Sequence, residues 1–558
     1  MAGRGTKKLT ATEGLPRRHT LKDRVFSSAL YTGSLKNRTP KRLLFTPADI
    51  IAGDSEGADT LFKGIFELEG LANKKPLSEP WMAKGMPLYW HNELHRFNWV
   101  RDFSANGSDA ARRHVRALVA AWITSFEDYQ PYIWDPAILA RRLINWMQQS
   151  AFLLTSNDGD LNYKFLKSLR KQHQHLARYC RYLAKEPDQF ELYLALYLGS
   201  ACFSDTQEQT PRFEQKLLGE IGKNTLADGC HISRNPTRQL AFLTDLVSLR
   251  DSYGHQGREL PEALMLAIDQ LTPTLRFFQH GDGSLALFNG GQAAEEGRPD
   301  HILLLSKAMG RPPYHLPHGG FERLKAGRSL VLIETGQKGR PRNQQIYAGL
   351  GSFEFSHGRD RLIVNCGAHP DEQSPWHKAL AASAAHSTLS IGAKNMVFPA
   401  TVAPNDPDPV PVQTHEEGGN LWFEMDNPGY EPSLGITHTR RLFLTADGTS
   451  LKGEDRVQAS MTGDTITDFI LRFHIHPDVS ISKSMGGRSF LMMTKSGSGW
   501  QFITSLSDAG LEESIYCSQP GETRTSRQIT LKGRLHGAEP LTIKWALHKS
   551  GNAANKSD

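Results

Sequence analysis

The stretch DGCHISRNP at residues 228–236 sets His231, Arg234 and Asn235 close together in a turn-like segment between two helical patterns. An imidazole exchanges protons near neutrality and a guanidinium grips a carboxylate with two parallel donors, so the trio has the makings of a chemical centre. The same residues also read as helix punctuation. Asn235 is a natural N-cap, Pro236 suits the first helical position, and His231 can satisfy the turn. A second candidate is RFHIHPD at 472–478, where His474 and His476 alternate onto one face of a strand. No third metal ligand is suggested nearby, and His-Pro-Asp reads equally well as a strand end. HGDGSLALFNGG is glycine-rich, but it lacks a lysine and follows a helical pattern, which argues against a phosphate cradle. GxxxxGK[ST], HExxH and a GxSxG in the right context are all missing, so nucleotide binding, zinc proteolysis and α/β-hydrolase chemistry have no support.

The elements that must position these residues fall into two regimes. From about residue 108 to 280 the period is helical. Val115, Leu118, Val119, Trp122, Ile123 and Phe126 form one apolar stripe, and Asp135-Pro136 opens the next helix with a cap and an N1 proline. Further amphipathic stretches near 161–184, 189–204, 211–223, 236–253 and 259–279 are joined by short links, a pattern of helical hairpins that can curl into a toroid. Beyond about residue 325 the period is two, with β-branched residues and turn signals at Asp447-Gly448 and at SGSG 496–499. RSLVLIETG, QIYAGLGSFEFS, DRLIVNCG, STLSIGA, NLWFEM and RQITLKGRLHG all read as strands, implying a large antiparallel sandwich. The glycine- and proline-rich stretch 281–320 is the expected junction.

With 558 residues the chain is large enough for two or three domains, and its net charge of +6 fits an acidic ligand while naming no partner. Five scattered cysteines without a CxxC pair argue against a disulfide framework and a cysteine-rich zinc site. No run of 18 apolar residues appears, so no membrane span is expected. The basic N-terminus has no apolar leader segment, which favours the cytoplasm, and the first 20 residues and the tail SGNAANKSD are expected to fray.

An all-α region ending in DGCHISRNP, then AGLGSFEFSHGRDRLIVNCG and AHSTLSI in a β-region, resembles the heparinase II/III-like proteins of the polysaccharide lyase superfamily. WDPAILARRLINW, LRFFQHGDGSLALFNG, RFHIHPDV and EESIY extend the resemblance over about residues 80–550, closest to bacterial members that carry only the family name. It implies a fold of two parts, an N-terminal (α/α) toroid followed by a large antiparallel β-sandwich. The implied boundaries are an extension over 1–75, the toroid over 76–320 and the sandwich over 321–550. It also implies an acidic glycan in the cleft between them and β-elimination at a uronic acid. There the C5 carboxylate is neutralised, a tyrosine or histidine takes the C5 proton, and an acid protonates the departing O4.

Residue by residue, the implied machinery is incomplete. Phe190 and Glu191 fall where the lyases carry an Asn-His pair, and Arg238 where many carry a catalytic tyrosine. Gln345, Tyr347 and Gly349 replace a His-x-His-x-Asp run, and the later metal-site aspartate and histidine fall near Asn365 and on His386. The resemblance therefore implies His231 or Tyr347 as base, Arg234 or Arg238 on the carboxylate, Asn235 and His386 as further substrate contacts, and no metal or other cofactor. Structural roles stand beside these: Tyr347 can pack from a strand and His386 can serve the strand that follows it. The expected partner is an acidic polysaccharide or oligosaccharide, with no nucleic acid. Two functions remain open, a uronate lyase and a glycan-binding or scaffold protein that keeps the fold without the elimination chemistry. Location divides likewise between the cytoplasm and the periplasm, where many relatives act.

Overall fold

The computed structural model describes residues 20–35, 39–154, 158–182, 188–336, 347–397, 410–460, 466–484, 486–507 and 509–550. Gln345 and the stretches 1–19 and 551–558 lie outside them. A helical N-terminal region is followed by two antiparallel sheets that form a β-sandwich. The chain divides into two compact units, residues 1–224 with 244–265, and residues 225–243 with 266–558.

The first unit is helical because its apolar residues recur at helical spacing and its helix starts are capped. Ser108 accepts from the Ala111 N–H at 3.1 Å and opens Asp109–Phe126, whose apolar stripe is buried from Val115 to Phe126. Asp135 accepts from the Ala137 N–H at 3.0 Å and opens Pro136–Gln148. Phe190–Cys202 is apolar on nearly every face, and it packs against Pro136–Gln148 and Thr210–Asn224, as a helix without a polar side must. Arg142 lies fully buried in this core. It donates to Gln172, to the carbonyls of His95 and Ile133, and stacks over Trp122 at 4.5 Å.

The second unit holds both sheets. One runs in the order Ser480–Lys483, Ser489–Met493, Gly499–Thr504, Leu541–Lys549, Ser450–Ala459, Ile436–Leu444, Asn420–Tyr430 and Val412–Glu417. The other runs Ala509–Tyr516, Arg524–His536, Ile466–Ile475, Asp360–Val364, Phe353–His357, Ser329–Glu334, Phe321–Ala326 and His315–Leu316, with Leu389–Ser390 beside Ile466–Ile475. Alternation along the strands sends Phe353, Phe355, Phe469, Phe473 and Leu531 inward from one sheet to meet Phe423, Leu442, Trp500, Phe502 and Trp545 from the other. Both turn signals close hairpins, Asp447-Gly448 between Ile436–Leu444 and Ser450–Ala459, and SGSG between Ser489–Met493 and Gly499–Thr504.

Several expectations need correction. STLSI is extended only at Leu389–Ser390, and Tyr347 stands in irregular chain ahead of Phe353–His357 rather than in a strand. The stretch 281–320 contains a helix, Arg298–Ser306, and lies inside the second unit. Val412–Glu417, Ala509–Tyr516 and Leu541–Lys549 are strands that the period-two reading passed over. The first and second have polar residues on both faces, so alternation carries little signal there.

Candidate functional site

The turn that holds the candidate residues is built from a network of polar contacts. Asp228 accepts from the N–H groups of His318 and Gly319, both at 2.7 Å, and from that of Cys230 at 3.1 Å. Gly229 adopts φ +77°, and a Cβ there would lie 2.1 Å from the Gln270 carbonyl oxygen, so only glycine fits. Gln239 reaches back from the following helix. Its Oε1 accepts from the His231 N–H at 2.6 Å, and its Nε2 donates to the carbonyls of Gly229 and Leu271. Asn235 caps Pro236–His255 as expected, accepting from the N–H groups of Thr237 at 2.8 Å and Arg238 at 3.1 Å, while its amide donates to the Asn289 carbonyl.

His231 is buried, and its Nδ1 accepts from the Ser233 N–H at 3.1 Å with the Ser233 hydroxyl at 2.7 Å. Its edge meets Phe242, and burial, reinforced by the Arg238 charge, pulls its pKa down to about 3. This imidazole is neutral across the physiological range. Arg234 adopts φ +58° and turns its side chain inward, where it is 2 % exposed. It donates to the Gly319 carbonyl at 2.6 Å and the Gly320 carbonyl at 3.3 Å, stacks over Phe321 at 5.0 Å, and lies 3.1 Å from a carboxylate oxygen of Glu334. Glu334 is itself 0 % exposed. Arg238, on the first turn of the helix, is exposed.

Tyr347 and His386 come together with this ion pair. Their rings stand 6.4 Å apart, and Tyr347 packs so closely on Gly290 that a Cβ there would lie 2.6 Å from the phenol oxygen. Burial pushes the Tyr347 phenol up to about 12. His386 is buried and donates from Nδ1 to the Ala382 carbonyl at 2.9 Å; desolvation lowers its pKa, with the Glu334 charge working against that. A Cβ on Gly349 would fall 2.6 Å from His386 Cδ2 and 2.9 Å from Glu334 Oε2. Glycine at 349, where the resemblance puts a metal-binding aspartate, thus leaves the room that Glu334 and His386 fill. The structure therefore gathers Arg234 and His386 around Glu334, with Tyr347 in contact with the His386 ring. Sequence reasoning missed Glu334; an acidic end to the otherwise apolar run SLVLIE was the available signal, and the whole strand is buried.

Asn365 serves the fold instead, its Oδ1 accepting from the Ser387 N–H at 3.0 Å. In the first unit, Glu191 forms an ion pair with Arg141 at 2.7 Å, and Arg141 also binds Asp245 at 2.7 Å. The position where the resemblance puts a carboxylate neutraliser thus carries an anion with its own cation. His474 is buried, with Nδ1 2.8 Å from the Ser514 hydroxyl and Nε2 3.0 Å from the Ala384 carbonyl, while His476 lies past the strand end. These contacts suit bracing, and among the described residues no three metal-ligating side chains converge.

Residues 308–546 match the family model for the C-terminal part of heparinase II/III-like proteins. The chain is similar to FtsZ-localized protein C of Caulobacter vibrioides, with 29 % identity over 534 residues, 92 % of this chain and 91 % of that one. Its fold is that of a crystal structure of heparinase III, at TM-score 0.72 and 13 % identity over 96 % of this chain and 92 % of the other. It also matches a heparan sulfate lyase HepC mutant from Pedobacter heparinus, at TM-score 0.60 and 16 % identity over 93 % and 87 %. The sandwich that holds Glu334, Tyr347 and His386 therefore matches the heparinase II/III-like C-terminal domain, and the chain as a whole has the fold of heparinase III.

Proposed function

We propose that this protein keeps the heparinase fold as a binding scaffold without β-elimination activity, and that it works in the cytoplasm beside FtsZ. The observation that carries the first part is the buried Arg234–Glu334 pair. Elimination at a uronate needs a cation or amide donor on the substrate carboxylate and a base with a tuned pKa. Here the guanidinium already has a carboxylate, and the nearby imidazole of His231 is buried, bonded to Ser233 and hard to protonate. The second part rests on the name of the Caulobacter relative, FtsZ-localized protein C, and on a similarity that spans nearly the whole of both chains.

The test is ultraviolet absorbance during incubation of the purified protein with heparin, heparan sulfate, chondroitin, hyaluronan, alginate and glucuronan. A flat trace with every polymer is expected, and a rise from the conjugated unsaturated uronate would overturn the scaffold reading. A fluorescent fusion in the native host should follow FtsZ through the cell cycle, and a diffuse signal would remove that placement.

The approach of Tyr347 to His386 favours a second reading, a uronate lyase with an altered site. In it Tyr347 or His231 takes the C5 proton, the electrons of that C–H bond form the C4–C5 double bond, the C4–O4 bond breaks with its pair leaving on O4, and O4 takes a proton back from the same side chain or from water, with the exposed Arg238 on the carboxylate. If turnover is detected, Tyr347→Phe should abolish it.

A further inference from the structure

A second surface lies on the outer face of the sheet that runs from Ser480–Lys483 to Val412–Glu417. The inward residues of this sheet fill the core, so the alternate residues face away. Register places Trp422, Phe443, Lys452, Ala546 and Ile503 in one row across neighbouring strands. Trp422 is 47 % exposed and Ile503 37 %. The Trp422 and Phe443 rings lie 4.2 Å apart and form a continuous apolar platform. The adjacent row is a charge ladder in which Arg441 binds Glu424 and Glu454, each at 2.8 Å, and Lys544 binds Glu454 at 3.3 Å. Together these residues line a shallow concavity of about 1030 Å³.

We propose that this face binds an acidic oligosaccharide, with a pyranose ring stacked on the Trp422–Phe443 platform and a sugar carboxylate held by Lys452. Exposed aromatics that line a concave surface beside a few polar groups mark a ligand site. The two rings are tilted 49° to each other and bordered by charged side chains, so the exposed face of Trp422, with Phe443 as its side wall, suits a ring with one apolar face and polar groups around its rim. The backbone of these central strands is already paired on both sides, so it offers nothing to a peptide strand. Charge selects the acid. Arg441 and Lys544 have carboxylate partners, whereas the ammonium of Lys452 sits 5.5 Å over the Phe443 ring and makes no ion pair among the described residues. The site is separate from the Arg234–Glu334 centre and does not depend on how that centre is read.

Isothermal titration of the full chain with hyaluronan and alginate oligosaccharides, and with neutral cello-oligosaccharides as the charge control, tests this. Wild type should prefer the acidic sugars, Trp422→Ala should weaken binding at least tenfold, and Lys452→Gln should remove most of the preference for acid. Because Trp422 is exposed, Trp422→Ala should keep the wild-type melting temperature, which separates lost binding from lost folding. Absence of binding to wild type, or affinity unchanged in Trp422→Ala, overturns the proposal. So does a Trp422-dependent change of oligomeric state in sedimentation, which would assign the face to a second copy of the chain.

Discussion

The buried ion pair at the centre of the site makes a quantitative prediction. In Glu334→Leu the guanidinium of Arg234 keeps its bonds to the Gly319 and Gly320 carbonyls but loses its only described carboxylate, at a position 2 % exposed. Removing one partner of a buried pair leaves an uncompensated charge and costs about 3–5 kcal/mol. For a domain of this size each kcal/mol moves the melting temperature by roughly 2–4 °C, so a fall of about 6–20 °C is expected by differential scanning calorimetry. Arg234→Met should be comparably damaging, because it strands Glu334 and two carbonyl acceptors. The double variant should recover about 2 kcal/mol or more of the summed loss, since apolar groups of similar volume replace a buried pair at little cost. Single variants costing less than about 1 kcal/mol, with no coupling between them, would show that the guanidinium is not committed to Glu334. Arg234 would then be available to a substrate carboxylate, and the scaffold reading would lose its main support.

Three further outcomes follow from the same geometry. His231, His474 and His175 are each held near a pKa of about 3, chiefly by burial, against 6.5 for a free imidazole. The unfolded chain takes up these protons as pH falls below about 6.5 while the folded one stays neutral. Stability should therefore drop between about pH 6.5 and 3, by roughly 2 kcal/mol per group at pH 5, and a urea midpoint that does not move over that range would contradict it. Gly349→Asp, which restores the residue type of the lyase metal run, should destabilise the fold and bind no zinc in calorimetry, because its Cβ meets His386 and its charge meets Glu334. Asn235→Ala should cost about 0.5–2 kcal/mol in chemical denaturation through the lost cap of Pro236–His255.

What the sequence made legible was local. Asp135 and Asn235 stand directly before proline, and both cap the helices that the dipeptide implies, because capping needs only residues within three positions of one another. The stripe from Val115 to Phe126 and the hairpin at Asp447-Gly448 were equally readable, since helical and strand periods are properties of a short window. The site was legible only as a set of residue types. Arg234 and Glu334 lie 100 positions apart, and no period or spacing links them. Tyr347 read as a strand residue because its neighbours are apolar, but that burial comes from Gly290, Ala368 and Ala381, which a local pattern cannot contain. Gly349 read as a lost ligand. Its missing side chain is instead what leaves room for Glu334, the carboxylate beside Arg234, and for His386. A side chain at 349 should therefore press on Glu334 and His386 together and loosen the Arg234–Glu334 pair.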